Sequence, residues 1–489
     1  MSPAPAACMQ TCNPNGANTC PSGFYCDSST MKCDAQCTQG GSECGSGYQC
    51  SLDGQCEPLG SCQGLQCQQV DCSTMGSGMA ADATAITGTV FAPNGTLPLY
   101  GINVYVPNSD PGPEPTGLTC DQCSDGLPGD PLVMTTTDEM GNFSLGNMPA
   151  GKSIPVVITS GKWRRELTIP MVPKCMSTPI AAADTTLPKS MTDMSPNTTS
   201  VSMPAIAIST GGADALECLI RKLGIADTEI GTMGGAQKIH LYADTQSSGE
   251  GTDHFKTGFA GGSGNFADSQ SLWNTYQALS AYDIVIFSCE GEQAPNTKSQ
   301  SAMDAVKMYA DMGGRIFLSH WHNIWIEGST QGGGNQKPAV WPAIAMWSNG
   351  GNTTDPATDI IDEIDNPKGM SFATWMLNVM GSTTRDQIVV HQGRETCSGV
   401  DNNKAERWTY YQPDMSPQNF QFTTPNEAAS DQRCGKVVFS DMHVSADSMS
   451  SPGGTGYPSQ CSTAAMTAQE KALAFMFFDI ASCVDTVIQ

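Results

Sequence analysis

Histidines and carboxylates that directly follow apolar, strand-like segments are the residues of this chain best suited to chemistry. Two pairs have members two residues apart: His320 and His322, and Asp441 and His443. In an extended chain such residues project to the same side, so each pair could supply metal ligands. Two histidines and one aspartate with an open position suit zinc or another divalent cation that activates water for hydrolysis. Glu290 or Glu292 would then act as the general base.

A nucleophilic mechanism is a second interpretation of the same region. Ser319 ends one strand-like segment and Cys289 follows another, and either could attack a substrate with assistance from His443. No G-x-S-x-G motif surrounds Ser319, and a cysteine in an oxidising compartment is more often disulfide-bonded.

A non-catalytic binding pocket is a third interpretation. Four tryptophans lie close after Ser319, amid loop sequence rich in Gly and Asn: Trp321, Trp325, Trp341 and Trp347. Aromatic side chains beside polar amides suit stacking on sugars or contact with a protein. The alternative is that these tryptophans simply cover the sheet as a hydrophobic cap.

The elements that must position these residues alternate between strands and helices. Strands are predicted at 238–244, 283–288, 315–319, 387–391 and 436–441, and helices at 269–281, 300–312, 372–380 and 467–482. This alternation predicts a doubly wound, mostly parallel α/β sheet of the flavodoxin or amidotransferase kind over 201–489. Ligands bind beyond the carboxyl ends of such strands, where five of the six histidines fall; only His240 lies inside a strand.

The order of these elements resembles the class I glutamine amidotransferase-like fold, in particular its trehalose-utilisation (ThuA-like) branch. The segments that carry the resemblance are AYDIVIFSCEGE, YADMGGRIFLSHWH and CGKVVFSDMH. The family's nucleophilic cysteine would fall at Ser319-His320, and the G-x-C-x-G elbow is absent. Of the family's triad, only His443 has a counterpart. The resemblance therefore implies the fold but not glutamine hydrolysis.

The preceding region, 85–175, is predicted to be an antiparallel β-sandwich, because short β-type runs alternate with Gly, Pro and Asn turns. ITGTVFAPNG and TTTDEMGNFSLGNMPAGKSIPVVI resemble carboxypeptidase regulatory-like, transthyretin-type domains, with an insertion at 108–131. Such domains are usually structural or binding modules. Cys120 or Cys123, in the insertion, is expected to form a disulfide with Cys175.

The first segment, 1–73, contains 12 of the 21 cysteines, in a stretch with almost no aliphatic residues. Two four-cysteine units follow one another, with CPSGFYC in the first and CGSGYQC in the second, so disulfides must hold this segment together. The units resemble EGF-like or Dickkopf-type repeats. Linkers are predicted at 74–84 and 176–200 from composition. This combination of three domain types resembles secreted or surface proteins of myxobacteria and their relatives.

The isolated cysteines raise separate expectations. Four that flank late elements are predicted to be structural staples: Cys397, Cys434, Cys461 and Cys483. The odd total leaves at least one cysteine without an intrachain partner. Cys289 is one candidate. Cys8 is the other, because Ala6-Ala7-Cys8 loosely resembles the end of a bacterial lipoprotein signal and would make Cys8 a lipid-anchor site.

Charge and cysteine use together favour an extracellular or outer-surface location, in a bacterium. With 23 basic against 48 acidic residues the formal charge is −25, which argues against nucleic acid and anionic membranes as partners. No apolar run is long enough to span a membrane, and we expect a leader peptide that this sequence lacks.

The leading hypothesis is an extracellular or cell-surface binding or structural protein. Its α/β domain would be a non-catalytic pseudo-enzyme that recognises carbohydrate or another surface component, a matrix protein for example, and the repeats could mediate self-assembly. The alternative is a secreted metal-dependent hydrolase that uses the two histidine-containing pairs and zinc or another divalent cation.

Overall fold

The computed structural model describes most of the chain from residue 83 onward and short parts of the first segment. The described residues are 12, 20, 24–37, 44, 48–51, 54–58, 62, 64–72, 83–244, 253–259, 264–329, 337–348, 350–444 and 456–484. Cys8 and the predicted linker at 74–84, apart from its last two residues, lie outside these ranges.

The cysteine-rich segment contains small disulfide-bonded hairpins. Each four-cysteine unit forms one hairpin, β1 (Tyr25–Asp27) with β2 (Lys32–Asp34), and β3 (Tyr48–Cys50) with β4 (Cys56–Pro58). Within each unit the first cysteine pairs with the third and the second with the fourth: Cys12–Cys26 and Cys20–Cys33, then Cys37–Cys50 and Cys44–Cys56. The identical pairing confirms that the segment is disulfide-bonded and repeats one unit.

Two small sheets follow. The strands are β5 (Ala85–Thr89), β6 (Asn103–Pro107), β7 (Pro131–Thr136), β8 (Asn142–Leu145), β9 (Gly151–Ser160), β10 (Trp163–Val172), β11 (Ser177–Pro179) and β12 (Thr198–Ser202). One sheet has the order β12-β10-β9-β6-β7 and the other β11-β5-β8. Buried side chains of both sheets belong to one hydrophobic core, for example Val104 and Ile158 from the larger sheet and Ile86 and Phe143 from the smaller one.

The segment 176–200, predicted as a linker or an irregular crossover, contributes to both sheets. It contains β11, the short helix α1 (Ala182–Thr185) and the start of β12. The buried Arg165 guanidinium holds this segment in place, since it donates to the Thr186 carbonyl and to the Asp193 carboxylate. These polar contacts order a segment whose composition had predicted a linker.

The remaining chain builds one large sheet, a separate pair of strands and the helices that cover them. The strands are β13 (Ile206–Ser209), β14 (Ile230–Thr232), β15 (Ile239–Ala243), β16 (Ala267–Asp268), β17 (Ile284–Phe287), β18 (Arg315–Ser319), β19 (Ala345–Trp347), β20 (Ala357–Ile361), β21 (Gln387–Val390), β22 (Cys397–Val400), β23 (Glu406–Tyr411), β24 (Pro417–Thr424) and β25 (Gly435–Ser440). The helices are α2 (Leu216–Lys222), α3 (Gln270–Trp273), α4 (Tyr276–Leu279), α5 (Gln300–Asp311), α6 (Ile324–Glu327), α7 (Gly369–Asn378) and α8 (Ala468–Ala481).

The large sheet has the strand order β14-β15-β13-β17-β18-β25-β24-β23-β20-β21, with β16 beside β15, and β19 pairs separately with β22. From β14 to β25 the neighbours are parallel, and from β25 to β21 they are antiparallel. The carboxyl ends of β13, β17, β18 and β25 therefore lie side by side at one edge.

Side chains along these central strands alternate between two cores. Ile284 and Ile286 of β17 belong to the core that contains α2, α7 and α8, whereas Val285 and Phe287 belong to the core that contains α3 to α6. Burial on both faces is the reason why the strands appear in the sequence as continuous apolar runs. Helix α8 begins with a capping box formed by Thr467 and Glu470.

The β domain is fixed to the α/β domain. Trp163 of β10 packs against Phe477 and Phe478 of α8, at ring-centroid distances of 5.5 Å. The turn before it requires glycine, because a Cβ on Gly161 would lie 1.9 Å from the Ala481 carbonyl oxygen. Two disulfides add covalent links, Cys120–Cys434 and Cys123–Cys483.

The predicted disulfide from Cys120 or Cys123 to Cys175 is wrong, since Cys175 pairs with Cys72. The reason is that the insertion at 108–131 lies against the α/β domain, where Cys123 N donates to the Val484 carbonyl at 2.9 Å. Cys461 pairs with Cys218 as a staple. Cys397 does not act as one: among the described residues its buried thiol has no disulfide partner, and the same is true of Cys289.

Within the described ranges, none of the helices combines the length and apolarity needed to cross a membrane.

Candidate functional site

The candidate site lies at the carboxyl ends of four adjacent parallel strands, β13, β17, β18 and β25. The residues that follow these strands include Asp214, Cys289, His320 and His443, all of them buried. Parallel strands deliver their carboxyl ends to the same edge, so side chains far apart in sequence meet there.

Cys289, His320 and His443 form one cluster, whose ligand-type atoms all lie within 4.8 Å of one another. The Cys289 Sγ lies 3.3 Å from His320 Nδ1, and the two imidazole rings have centroids 5.2 Å apart. His320 adopts a φ of +42°, so the chain turns sharply as it leaves β18 and directs this ring toward Cys289.

Burial sets the protonation of all three groups. It raises the pKa of the Cys289 thiol to about 12, and the charges of Asp214 and Glu290 act in the same direction. It lowers the pKa of His443 to about 3, and Arg394 adds to this effect. Burial also places the pKa of His320 well below its usual value. The cluster therefore contains a neutral thiol and two neutral imidazoles at neutral pH.

Ser319 is not positioned as a nucleophile. Its Oγ donates to Asp214 Oδ2 at 2.7 Å, and the other Asp214 oxygen accepts from Val444 N at 3.1 Å. Ser319 is fully buried, and within the described part of the chain the His443 ring nitrogens have no hydrogen-bond partner, so His443 does not receive the Ser319 proton. The predicted pair of Ser319 with His443 is not formed.

His322 points away from the cluster. Its Nδ1 accepts from Trp325 Nε1 at 3.0 Å and its Nε2 faces the Ser288 carbonyl at 2.9 Å. Because both ring nitrogens have partners, His322 is unavailable as a ligand. The prediction from spacing was wrong here because residues 320–323 form a 3-10 turn instead of extended chain, which sends His320 and His322 to different sides.

Asp441 is also engaged elsewhere. Its carboxylate accepts from Thr396 N at 2.8 Å, from Thr396 Oγ1 at 2.5 Å and from Cys397 N at 3.0 Å. Burial raises its pKa to about 6, against the opposing effect of these hydrogen bonds. Asp441 thus anchors the start of β22, and the predicted set of four metal ligands does not converge.

The two glutamates predicted as general bases differ in environment. Glu290 is buried and ion-paired with the fully buried Lys298, whereas Glu292 is exposed. Burial raises the pKa of Glu290 to about 7, and the Lys298 charge opposes that rise. Lys298 in turn lies 5.0 Å from the centroid of the Trp273 ring. Glu290 therefore belongs to a buried ion pair beside the cluster.

The four tryptophans divide into two classes. Trp325 and Trp341 are buried in the core above the sheet, where Trp341 Nε1 donates to Thr424 Oγ1 at 3.1 Å. For these two the hydrophobic-cap interpretation holds. Trp321 and Trp347 are half-buried. The Trp347 ring packs edge-to-face against Phe439 with ring centroids 5.2 Å apart, and Trp321 lies next to the Gly350 backbone.

The remaining histidines are separate from the cluster. His240 lies inside β15 and its Nδ1 is 2.7 Å from Tyr282 Oη. His254 pairs with the adjacent Asp253. His391 is half exposed and its Nδ1 lies 2.7 Å from Asp355 Oδ1.

Comparison with known proteins gives no family assignment. No protein-family model matches the chain, and no curated protein matches it. The solved structures similar to it include a ThuA-like protein from Bacteroides uniformis (11% identity, TM-score 0.28, 56% of this chain and 88% of that chain), the cytoplasmic protein STM3548 from Salmonella typhimurium (11%, 0.30, 57% and 99%) and the cytoplasmic protein STM1381 from Salmonella typhimurium LT2 (9%, 0.30, 56% and 98%).

Several residues of the site were not predicted from the sequence. Asp214, which accepts the hydrogen bond from Ser319, follows β13, a strand that was itself not predicted. Gly211 is required by close packing, since a Cβ there would lie 2.2 Å from the Cys289 carbonyl oxygen. The sequence signal that could have found both is GGAD at 211–214 directly after an apolar run, a pattern typical of a tight strand-to-helix turn.

Proposed function

We propose that this chain is an extracellular or cell-surface binding and structural protein whose α/β domain is not an enzyme. The observation that carries this proposal is the state of the two candidate nucleophiles. Ser319 is committed to Asp214, and Cys289 is fully buried with its thiol held neutral by a raised pKa. Nucleophilic catalysis requires an activated, accessible thiolate or alkoxide, and neither group meets that requirement.

The metal-hydrolase alternative receives less support. It needs a metal ion that keeps a position open to water and substrate. Two of its four proposed ligands, His322 and Asp441, have other hydrogen-bond partners. The other two lie with Cys289 in a closed, buried cluster.

An extracellular location is supported by the covalent architecture. Nine disulfides lie among the described residues, and three of them link cysteines that are 243, 314 and 360 residues apart in sequence. Disulfides of this number persist in oxidising compartments. We assign the paired hairpins to EGF-like scaffold modules, the two small sheets to a regulatory-like sandwich and the large sheet to the doubly wound class, in a protein of the myxobacterial surface type.

We further propose carbohydrate or a similar surface component as the ligand of the α/β domain. Trp321 and Trp347 supply the support, because both are only half-buried, Trp347 within β19 and Trp321 beside the backbone of Gly350. Aromatic faces of this kind, next to polar backbone, suit stacking on sugar rings.

Two measurements test the proposal. Assays with glutamine, nitrophenyl esters and nitrophenyl glycosides should give no turnover that depends on Cys289 or Ser319; turnover abolished by Cys289→Ala would overturn the non-catalytic assignment. Sedimentation with insoluble polysaccharides should show binding that the Trp321→Ala/Trp347→Ala double variant loses. Tyr48→Ala, at an exposed aromatic residue of the repeats, is the matched control. Equal binding by all three proteins would exclude this surface.

A further inference from the structure

The cluster of Cys289, His320 and His443 has the composition and geometry of a metal site. Its three donor atoms come from the ends of three adjacent strands, β17, β18 and β25, and lie within 4.8 Å of one another. Three ligands at roughly 2.0–2.3 Å from one ion would be about 3.5–4 Å apart. The distance of 3.3 Å between Cys289 Sγ and His320 Nδ1 requires only a small adjustment to reach that spacing.

His443 gives the second, independent observation. It is 1% exposed, and neither of its ring nitrogens has a hydrogen-bond partner among the described residues. A buried polar atom that lacks a partner carries a desolvation cost, and a simple thiol–imidazole hydrogen bond between Cys289 and His320 leaves that cost in place. Coordination of an ion by all three residues would give one of these nitrogens a partner.

Outer contacts hold two of the three ligands, Cys289 and His443, in position. Gly291 N lies 3.4 Å from the Cys289 Sγ, where it can donate to a thiolate. Gln469 Nε2 donates to the His443 carbonyl at 2.6 Å and also to the His391 carbonyl at 2.8 Å, which fixes the backbone after β25. Outer contacts of this kind orient metal ligands and adjust their affinity.

The chemical type of the three donor atoms, together with their burial, favours one kind of metal ion. A thiolate with two imidazoles is a soft to borderline set that favours copper or zinc over magnesium or calcium. Copper(I) accepts three ligands, and with one thiolate it forms a centre of zero net charge. Zinc(II) with the same three ligands would leave a net charge of about +1 in a buried site, which is costly in a low-dielectric interior.

We propose that Cys289, His320 and His443 form a buried, three-coordinate copper(I) site. Binding replaces the thiol proton, which is released to solvent, and forms one Cu–S and two Cu–N bonds with no change in oxidation state. The site goes beyond the proposed binding function, because its three ligands are not the side chains of the carbohydrate surface. The two sites are neighbours, since the Trp321 ring lies 4.7 Å from the His320 ring, centroid to centroid.

The test uses the full chain with its disulfides intact. The protein as purified is analysed for zinc and copper. It is then loaded with copper(I) under anaerobic conditions with ascorbate, which leaves structural disulfides intact, desalted and analysed for both metals again. One equivalent of copper should remain and should resist a weak copper(I) chelator, and it should raise the melting temperature. Cys289→Ser and His443→Gln should each lower copper retention at least tenfold.

Two control variants separate this site from adventitious binding. Cys397→Ser removes the other buried free thiol of the described residues, and His391→Gln removes an exposed histidine; both should retain one equivalent. Retention of copper by Cys289→Ser, absence of retention by the wild-type chain, or stoichiometric zinc in place of copper would each overturn the assignment. The melting-temperature shift of the wild-type chain keeps the proposal testable where a variant fails to fold.

Discussion

Ser319 Oγ donates to Asp214 Oδ2 at 2.7 Å, and this hydrogen bond joins the end of β18 to the loop after β13, two strands away. Val444 N, beyond β25, donates to the other Asp214 oxygen. The buried Asp214 carboxylate thus links the ends of three strands, next to Cys289, through its hydrogen bonds. The serine that occupies the position of a nucleophile serves to stabilise this arrangement.

Ser319→Ala should destabilise the α/β domain by about 1–3 kcal/mol, because it removes a donor from a buried carboxylate. Ser288→Ala is the matched control, since Ser288 lies at the end of the neighbouring strand and its buried Oγ has no hydrogen-bond partner in the part of the chain that the structure describes. That control should be neutral or slightly stabilising. Denaturant unfolding followed by tryptophan fluorescence compares the two variants, and equal stabilities would contradict the role given to Ser319.

The two disulfides of the insertion should be detectable by mass spectrometry of the unreduced protein. Cleavage on the amino side of Asp121 separates Cys120 from Cys123, so each cysteine should appear in its own cross-linked peptide, with Cys434 and with Cys483. Replacement of both Cys123 and Cys483, which are 360 residues apart in sequence, by Ala should lower stability by several kcal/mol, about 6 at most on the chain-entropy estimate. A peptide that links either cysteine to Cys175 would contradict this pairing.

Much of the parallel half of the α/β domain could be predicted from the sequence, because its central strands are buried on both faces and α5 is amphipathic. The predicted segments at 283–288, 315–319 and 436–441 agree with β17, β18 and β25 to within about one residue. The antiparallel half was largely missed. Strand β24 is fully buried yet contains Gln418, Asn419 and Gln421, whose hydrogen bonds with other chain segments are invisible in the sequence.

The site itself could be predicted only in part. Placement after strand ends identified Cys289, His320 and His443, because topology alone brings such positions together. The partners of His322 and Asp441 depended on local backbone turns, which residue spacing does not specify. Disulfide pairs such as Cys72–Cys175 were likewise out of reach, because spacing does not determine connectivity.

Glu217→Gln should make the stability of the chain less dependent on pH. Glu217 is 2% exposed, and burial together with the charge of Asp214 raises its pKa to about 8. A folded-state pKa above the unfolded value of 4.5 means that the contribution of Glu217 to stability is greatest below pH 4.5 and decreases as the pH rises toward 8. The slope is at most about 1.4 kcal/mol per pH unit.

The measurement is the melting temperature at about pH 5, 6.5 and 8, values that span the interval between the two pKa values. The melting temperature of Glu217→Gln should fall less steeply with pH than that of wild type, so that Glu217→Gln is the more stable protein at the highest pH. Glu292→Gln, at an exposed position, should follow the wild-type curve. Parallel curves for wild type and Glu217→Gln would show that Glu217 does not retain its proton on folding.

Gly211→Ala should disrupt the cluster without touching any of its side chains. A Cβ at this position would lie 2.2 Å from the Cys289 carbonyl oxygen and 2.6 Å from that of Ser288, both backbone atoms that cannot rotate away. The loop after β13 must then move away from the end of β17, and Asp214 moves with it.

Gly146→Ala is the control, because its Cβ would meet no described atom closer than 4.0 Å. Reaction of Cys289 with a thiol reagent in the folded protein should be at least tenfold faster in Gly211→Ala than in wild type or Gly146→Ala; equal rates would mean that the close contact between these two loops does not shield Cys289.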